Sequence, residues 1–414
     1  MTVLAVVLAA ALAAPAASAA PSPSSPAPSP SSPAPAVAGE GPEALRALLA
    51  RELQPLPARP FETRSGIAGK VEAAAAPAVS AEQGSEAVTI PVGTAQPIAC
   101  AIVPARLDAA TAVWRVAEAT REKVKLVAAV PVDVVEVQGS ALVLAQLAYH
   151  VDGEKGPLLG VLKLAVYVHP SHSLLCQHDE PGYDASFARI VKGLAASLSG
   201  GAPDPRAKAS FAELTVMRIG PLAVGFAEHV VTRRPGRGVV AEQYGAQLLP
   251  RGPGDLMAVD SSSAETLDAK DLLERGTYAH VTNGELDLKM TVVRGKDGHG
   301  YAYDGEKDGK PLRGAFETRA GLSTDLWFAR RFARSAPPVK GELRHEAYSV
   351  EANPIAALPI VVRPDAAAPR RASMTLGPIT LAGDLDANGL FESAEVPLGP
   401  AKLVMKRVWS RGAP

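Results

Sequence analysis

The sequence predicts an α+β domain, an antiparallel sheet with helices packed on it, followed by a mainly-β, barrel-like domain. Three observations predict it. Between residues 87 and 200, short apolar runs alternate with two amphipathic helical patterns. Beyond the linker Gly200-Gly-Ala-Pro-Asp-Pro205, apolar and polar residues alternate with period two, and turn dipeptides recur about every ten residues. The length of 414 residues exceeds one ordinary domain, and 47% apolar with 21% charged residues is a globular composition.

The elements follow in chain order. Residues 1–20, MTVLAVVLAAALAAPAASAA, carry an apolar run from Val3 to Ala14 that is short for a bilayer span. Ala17-Ser18-Ala19 supplies the small-residue cleavage pattern of a bacterial-type secretory signal, although no Lys or Arg precedes the run. No cysteine stands near that point to carry a lipid, so an exported chain without a stable transmembrane anchor is expected, periplasmic or extracellular. Residues 21–34 repeat PSPSSPA twice, and the Pro/Ser/Ala-rich stretch 21–40 is expected to be a disordered linker. At about 3.1 Å per residue, the duplicated segment would reach roughly 40 Å.

Pro42–Leu53 then reads as a short helix with Leu45, Leu48, Leu49 and Leu53 on one stripe, followed by a loose Ala/Glu/Gly segment to residue 86. In the 87–200 unit, Ala87–Pro91 and Ile98–Val103 are strands, and Asp108 can cap a helix from Ala109 to about Lys123. Lys125–Val137, Ala141–Val151, Leu158–His169 and Leu174–Gln177 are further strands. A closing helix runs from Asp184, its expected cap, with Phe187, Ile190, Val191, Leu194 and Leu198 buried. Cys100 and Cys176 are the two cysteines, and in an exported chain they are expected to form one disulfide closing a loop of roughly 75 residues.

The run Leu162–Val168, followed by the Phe187-x-x-Ile190-Val191-x-x-Leu194 helix, resembles the PsbP-like α/β sandwich over about a quarter of the chain. That resemblance implies a non-catalytic binding or assembly module in an exported setting. After a linker at 201–210, residues 211–411 resemble, in general pattern, envelope β-barrel domains of the lipocalin or lipoprotein-carrier type. Alternation is plain in Leu286, Leu288, Met290 and Val292, and Asn283-Gly284, Asp297-Gly298, Asp308-Gly309 and Asn388-Gly389 are turn signals. A meander closing into a half or full barrel is expected.

Few residues point to chemistry. The catalytic motifs G-x-S-x-G, H-E-x-x-H, S-x-x-K and C-x-x-C are missing, as are both glycine-rich phosphate-binding patterns. The stretch His169-Pro-Ser-His-Ser-Leu-Leu-Cys-Gln-His-Asp-Glu180 gathers metal-competent donors, and Cys176, His178 and Asp179 could serve a hydrolase. A disulfide at Cys176 would remove that option. Trp327, Arg330 and Arg331 are either ligand contacts or the two faces of an amphipathic helix that plugs the sheet.

From Asp384, the sequence fits the calcium-loop pattern through Asp386, Asn388 and Glu395. The flanks lack the helices such a loop needs, and Asn388-Gly389 between alternating strands reads instead as a hairpin turn. No metal and no cofactor is expected. With a net charge of −1 and no basic half, nucleic acid is excluded as a standing partner. The expected function is an exported, non-enzymatic binding or assembly module for an envelope protein or an apolar small molecule.

Overall fold

The computed structural model describes residues 42–414, apart from 83–84, 154–155, 235–237, 335–340 and 369. The expected signal and Pro/Ser/Ala-rich linker, residues 1–40, lie outside the described residues. The chain divides into two compact units. One holds the described residues up to Ala207 with Leu248–Ala258; the other holds Lys208–Gln247 and Val259–Pro414.

The first unit opens with α1 (Pro42–Leu49). The segment read as loose differs from expectation: it contains β1 (Ala58–Glu62) and β2 (Ala68–Glu72), paired antiparallel, and β3 (Ala78–Glu82). Its composition hides the alternation because Gly69 takes an inward position. A Cβ there would lie 2.9 Å from the Phe61 ring, so one large side chain covers both places. β4 (Ser85–Ile90), β5 (Ile98–Val103), β6 (Lys125–Val137), β7 (Ser140–Gly153), β8 (Gly156–His169) and β9 (His172–Asp179) follow. With β3 they form an antiparallel sheet in the order β3-β4-β5-β9-β8-β7-β6.

Two helices belong to this unit, α2 (Ala109–Arg121) and α3 (Asp184–Ser197). Phe187, Ile190, Val191 and Leu194 of α3 are buried in one cluster with Ile98, Ile102, Leu142 and Tyr167, as the helical spacing requires. The start of α3 differs from expectation. Tyr183, not Asp184, is the cap residue, in a left-handed conformation with φ of 63° and no side-chain cap bond. The open N–H groups are taken instead by Glu52, whose carboxylate accepts from Ala185 at 2.9 Å and Ser186 at 2.7 Å. Burial alone would raise the Glu52 pKa, but the bonds from Ser186 and Ala185 hold it below the ordinary value.

Beyond Lys208, fourteen strands form one antiparallel sheet. They are β10 (Phe211–Ile219), β11 (Leu222–Arg234), β12 (Gly238–Gly252), β13 (Asp255–Leu267), β14 (Leu273–Thr282), β15 (Glu285–Arg294), β16 (Gly300–Lys307) and β17 (Lys310–Glu317). After α4 (Asp325–Arg334) come β18 (Leu343–Ala347), β19 (Leu358–Pro364), β20 (Arg371–Leu376), β21 (Ile379–Leu385), β22 (Phe391–Leu398) and β23 (Ala401–Gly412). The first and last of these, β10 and β23, pair with each other.

The expected barrel therefore does not close: the ring is cut between β17 and β18, which are the two ends of the sheet. The connection between these two strands carries α4, whose Leu326, Trp327 and Phe328 are buried. Leu326 and Ala329 pack with Phe211, Val231, Tyr278, Leu288, Met290 and Val292 on one face of the sheet, here called the covered face. Leu286 was expected to share that face but is 54% exposed, because the register shifts between His280 and Val281 at the hairpin end. Among the described residues, no helix is long and apolar enough to cross a membrane.

Candidate functional site

The covered face is apolar at β15 and β16 but polar at β12–β14. The β13–β14 register sets Ser261 opposite His280, Ser263 opposite Tyr278 and Glu265 opposite Gly276. Side chains two apart on a strand share a face, so Ser261, Ser263, Glu265, Tyr278 and His280 stand together. Ser263 Oγ reaches Gln243 Oε1 of β12 at 3.3 Å. Gly276 is required here: a Cβ would lie 2.3 Å from the Tyr278 hydroxyl, which folds back over the glycine to donate to Glu265 Oε1 at 2.9 Å.

A segment after β18 lies over this patch. Its Tyr348 ring is 5.3 Å from that of Tyr278 and 5.9 Å from that of Phe316, and Val350 joins the apolar cluster. Glu351 comes down on His280, with His280 Nε2 and Glu351 Oε1 2.8 Å apart, and Ser349 Oγ donates to the second carboxylate oxygen at 2.8 Å. Both side chains are buried. Burial pulls the His280 pKa down, but the Glu351 hydrogen bond and charge outweigh it and hold the imidazole above its ordinary value. Burial pushes Glu351 up, and the bond and charge of His280 hold it below the ordinary carboxylate range. The result is a buried ion pair fastening the segment to the sheet. Beneath it remains a cavity of about 30 Å³, lined by Gln243, Ser261, Ser263, Glu265, Tyr278 and Glu351 among others. As packed, it has room for a water-sized group.

Chemically, this patch can donate and accept hydrogen bonds, but it is not assembled for nucleophilic attack. Ser261 faces His280 across the ladder, yet no hydrogen bond joins them among the described residues. The His280 nitrogen that contacts a side chain contacts the Glu351 carboxylate.

Cys100 and Cys176 form a disulfide, directly opposite each other on β5 and β9. His178 lies on the same face as Cys176, with Nε2 3.2 Å from Gln96 O. Burial, then the charge of Lys163, push the His178 pKa down to about 4. Asp179 points the other way and accepts the Tyr149 hydroxyl at 2.5 Å, so Cys176, His178 and Asp179 do not form a relay. Lys163, opposite His178, is buried; its ammonium donates to the carbonyls of Glu180 and Gly182, and burial brings its pKa down to about 8. His169 and His172 stack at 4.5 Å, with His169 Nε2 3.4 Å from Asp204.

Trp327 is buried in α4, Arg331 lies over its ring at 3.3 Å, and Arg330 pairs with the buried Asp271 at 2.7 Å. The calcium-like stretch is the turn between β21 and β22. Asp386 Oδ1 accepts the N–H groups of Asn388 and Leu390, and Oδ2 accepts from Arg407 at 2.6 Å. Asp384 takes Ser393 Oγ, and Glu395 pairs with Lys402 at 3.0 Å. The carboxylates are thus met by donors and cations of the chain itself. Among the described residues, no three His, Cys, Asp or Glu side chains converge to hold a metal.

No protein-family model and no curated protein matches the sequence. Among solved structures, the chain is similar to a beta-barrel-like protein of a domain of unknown function, DUF1849, from Brucella abortus. That likeness has a TM-score of 0.36 and 9% identity, over 49% of this chain and 97% of the other.

Proposed function

We propose that the chain is an exported, non-enzymatic binding or assembly module of the periplasm or cell envelope, and that it holds its ligand or partner on the covered face at β12–β14. One observation carries the proposal: hydrogen-bonding side chains line a cavity inside an otherwise apolar core, beneath a segment pinned by the His280–Glu351 pair. The lining groups pair among themselves, so a bound group would exchange for partners already present rather than fill unmet ones. An apolar molecule or a polypeptide larger than the cavity enters when the segment from Tyr348 to Glu351 lifts. The disulfide supports an oxidising compartment, and the leader supports export. The helix-on-sheet first unit supports the PsbP-like reading of 87–200, and the sheet wrapped on α4 supports the lipocalin-like one of 211–411.

The competing reading, a hydrolase built on Cys176, His178 and Asp179, is disfavoured because the Cys176 sulfur is bonded to Cys100. Iodoacetamide without reductant is expected to label neither cysteine; a labelled, reactive Cys176 would favour the hydrolase. Native mass spectrometry of the protein from its own cells tests binding directly. A non-covalent mass that is lost on denaturation is expected, and a bare chain in every preparation counts against the proposal.

A further inference from the structure

Among the described residues, the seven- and fourteen-stranded sheets have four outer strands, and three of these are short or irregular. β3 and β18 have five residues each, and a bridge to Ser323 covers Ala347 at the end of β18. β6 contains Pro131 and two register shifts, devices that spoil an edge for pairing. β17 is different: eight residues in unbroken register with β16, exposed at Arg313, Gly314, Ala315 and Glu317.

Its register fixes which backbone groups are free. The β16–β17 hairpin turns on Asp308 and Gly309, both left-handed with φ of 51° and 70°. A two-residue turn of this kind makes Lys307 and Lys310 a hydrogen-bonded pair. Alternation then directs the backbone of Leu312, Gly314 and Phe316 toward β16, and that of Arg313, Ala315 and Glu317 outward. Among the described residues, no backbone bond outside the β16 ladder reaches them.

We propose that β17 is the dimer edge of this protein, pairing antiparallel with β17 of a second copy about a twofold axis at Ala315. The side chains choose this register among those the backbone permits. Centring on Arg313 would set two arginines face to face, and centring on Gly314 would pair Pro311, which has no N–H, with Glu317. Centring on Ala315 sets Arg313 of each chain opposite Glu317 of the other, and Phe316 opposite Gly314. It forms about six backbone hydrogen bonds without calling on Pro311. The Phe316 rings then extend the row already made by Tyr301 and Tyr303, which lie 5.7 Å and 6.3 Å from Phe316. Arg313 already meets Asp304 at 2.7 Å and keeps further donors for Glu317 of the second copy. A single-strand interface is small, so the dimer is a weak, exchanging one.

Sedimentation velocity on the full chain, from about 1 to 200 μM, tests the proposal; a concentration-dependent dimer is the expected result for an interface of this size. Glu317→Arg alone and Arg313→Glu alone each place like charges across the axis and should weaken the dimer at least tenfold. Mixing the two variants restores both opposite pairs, so a heterodimer should form where neither variant pairs alone. That recovery also shows that the variants are folded. A chain that stays monomeric throughout, a dimer indifferent to both substitutions, or a mixture that fails to pair would each overturn the assignment.

Discussion

Replacing Glu351 with Gln keeps the shape of the side chain and removes its charge from a site where His280 has no other partner so close. Removing one member of a buried ion pair costs about 3–5 kcal/mol. Gln retains an acceptor for His280 Nε2 and a group for Ser349, so about 2–3 kcal/mol is the expected loss. The loss should depend on pH. The His280 pKa is raised in the folded state, so its contribution is complete below its unfolded value and disappears as pH rises through the folded one. The Glu351 pKa is lowered, so its contribution is present above its unfolded value and disappears as pH falls through the folded one. The pair therefore contributes most between about pH 4.5 and pH 6.5. Urea unfolding at pH 6 and at pH 9 measures the difference, and hydrogen exchange locates it. The gap between wild type and Glu351→Gln should be wider at pH 6 than at pH 9, and peptides spanning 347–357 of the variant should lose protection first at pH 6. A variant within about 0.5 kcal/mol of wild type at pH 6, with that segment still protected, would show that the pair does not fasten the segment to the sheet.

Three further outcomes are expected. Replacing Cys100 and Cys176 together with Ala releases a constraint spanning 76 residues and should cost the first unit about 4 kcal/mol in denaturant unfolding, whereas a loss below about 1 kcal/mol would show that the crosslink constrains little. Gly276→Ala should push the Tyr278 hydroxyl off Glu265 and lower stability by about 1–3 kcal/mol; a neutral substitution would contradict the fold-back of that tyrosine. Asp386→Ala should cost a similar amount, about 1–3 kcal/mol, by depriving the buried Arg407 of one of its carboxylates, and calcium titration of wild type should give no heat. Micromolar calcium binding that vanishes in Asp386→Ala would reassign the turn as a metal site.

The elements with the strongest periodicity were legible in the sequence. The α3 face through Phe187, Ile190, Val191 and Leu194 is read directly, because helical spacing and burial coincide there. β1, β2 and β13 were not legible. In β2 a glycine replaces one inward side chain, and in β13 the polar run Ser261-Ser262-Ser263 breaks the apolar alternation because its neighbours on the covered face are polar too. Cross-strand pairing of Cys100 with Cys176 could be expected from their number but not placed without the β5–β9 register. The candidate site has no local motif at all. Gln243, Glu265, Tyr278, His280 and Glu351 come from three strands and a distant turn, and only the sheet register brings them together. The one readable trace is Gly276-x-Tyr278-x-His280, where a small residue makes room for a tyrosine and two polar groups share a strand face. The calcium-like stretch shows the reverse case, since its pattern is complete while Arg407, 21 residues away, holds the carboxylate that a metal would need.

The most direct test of the covered face as the binding site is hydrogen exchange on the protein loaded with whatever its own cells supply, compared with the same protein stripped by reversible unfolding. Loading should change exchange in Gln243–Glu265, in Leu273–Thr282 and in the 347–357 segment. Changes confined to other strands, with those three stretches unaltered, would contradict binding at the covered face.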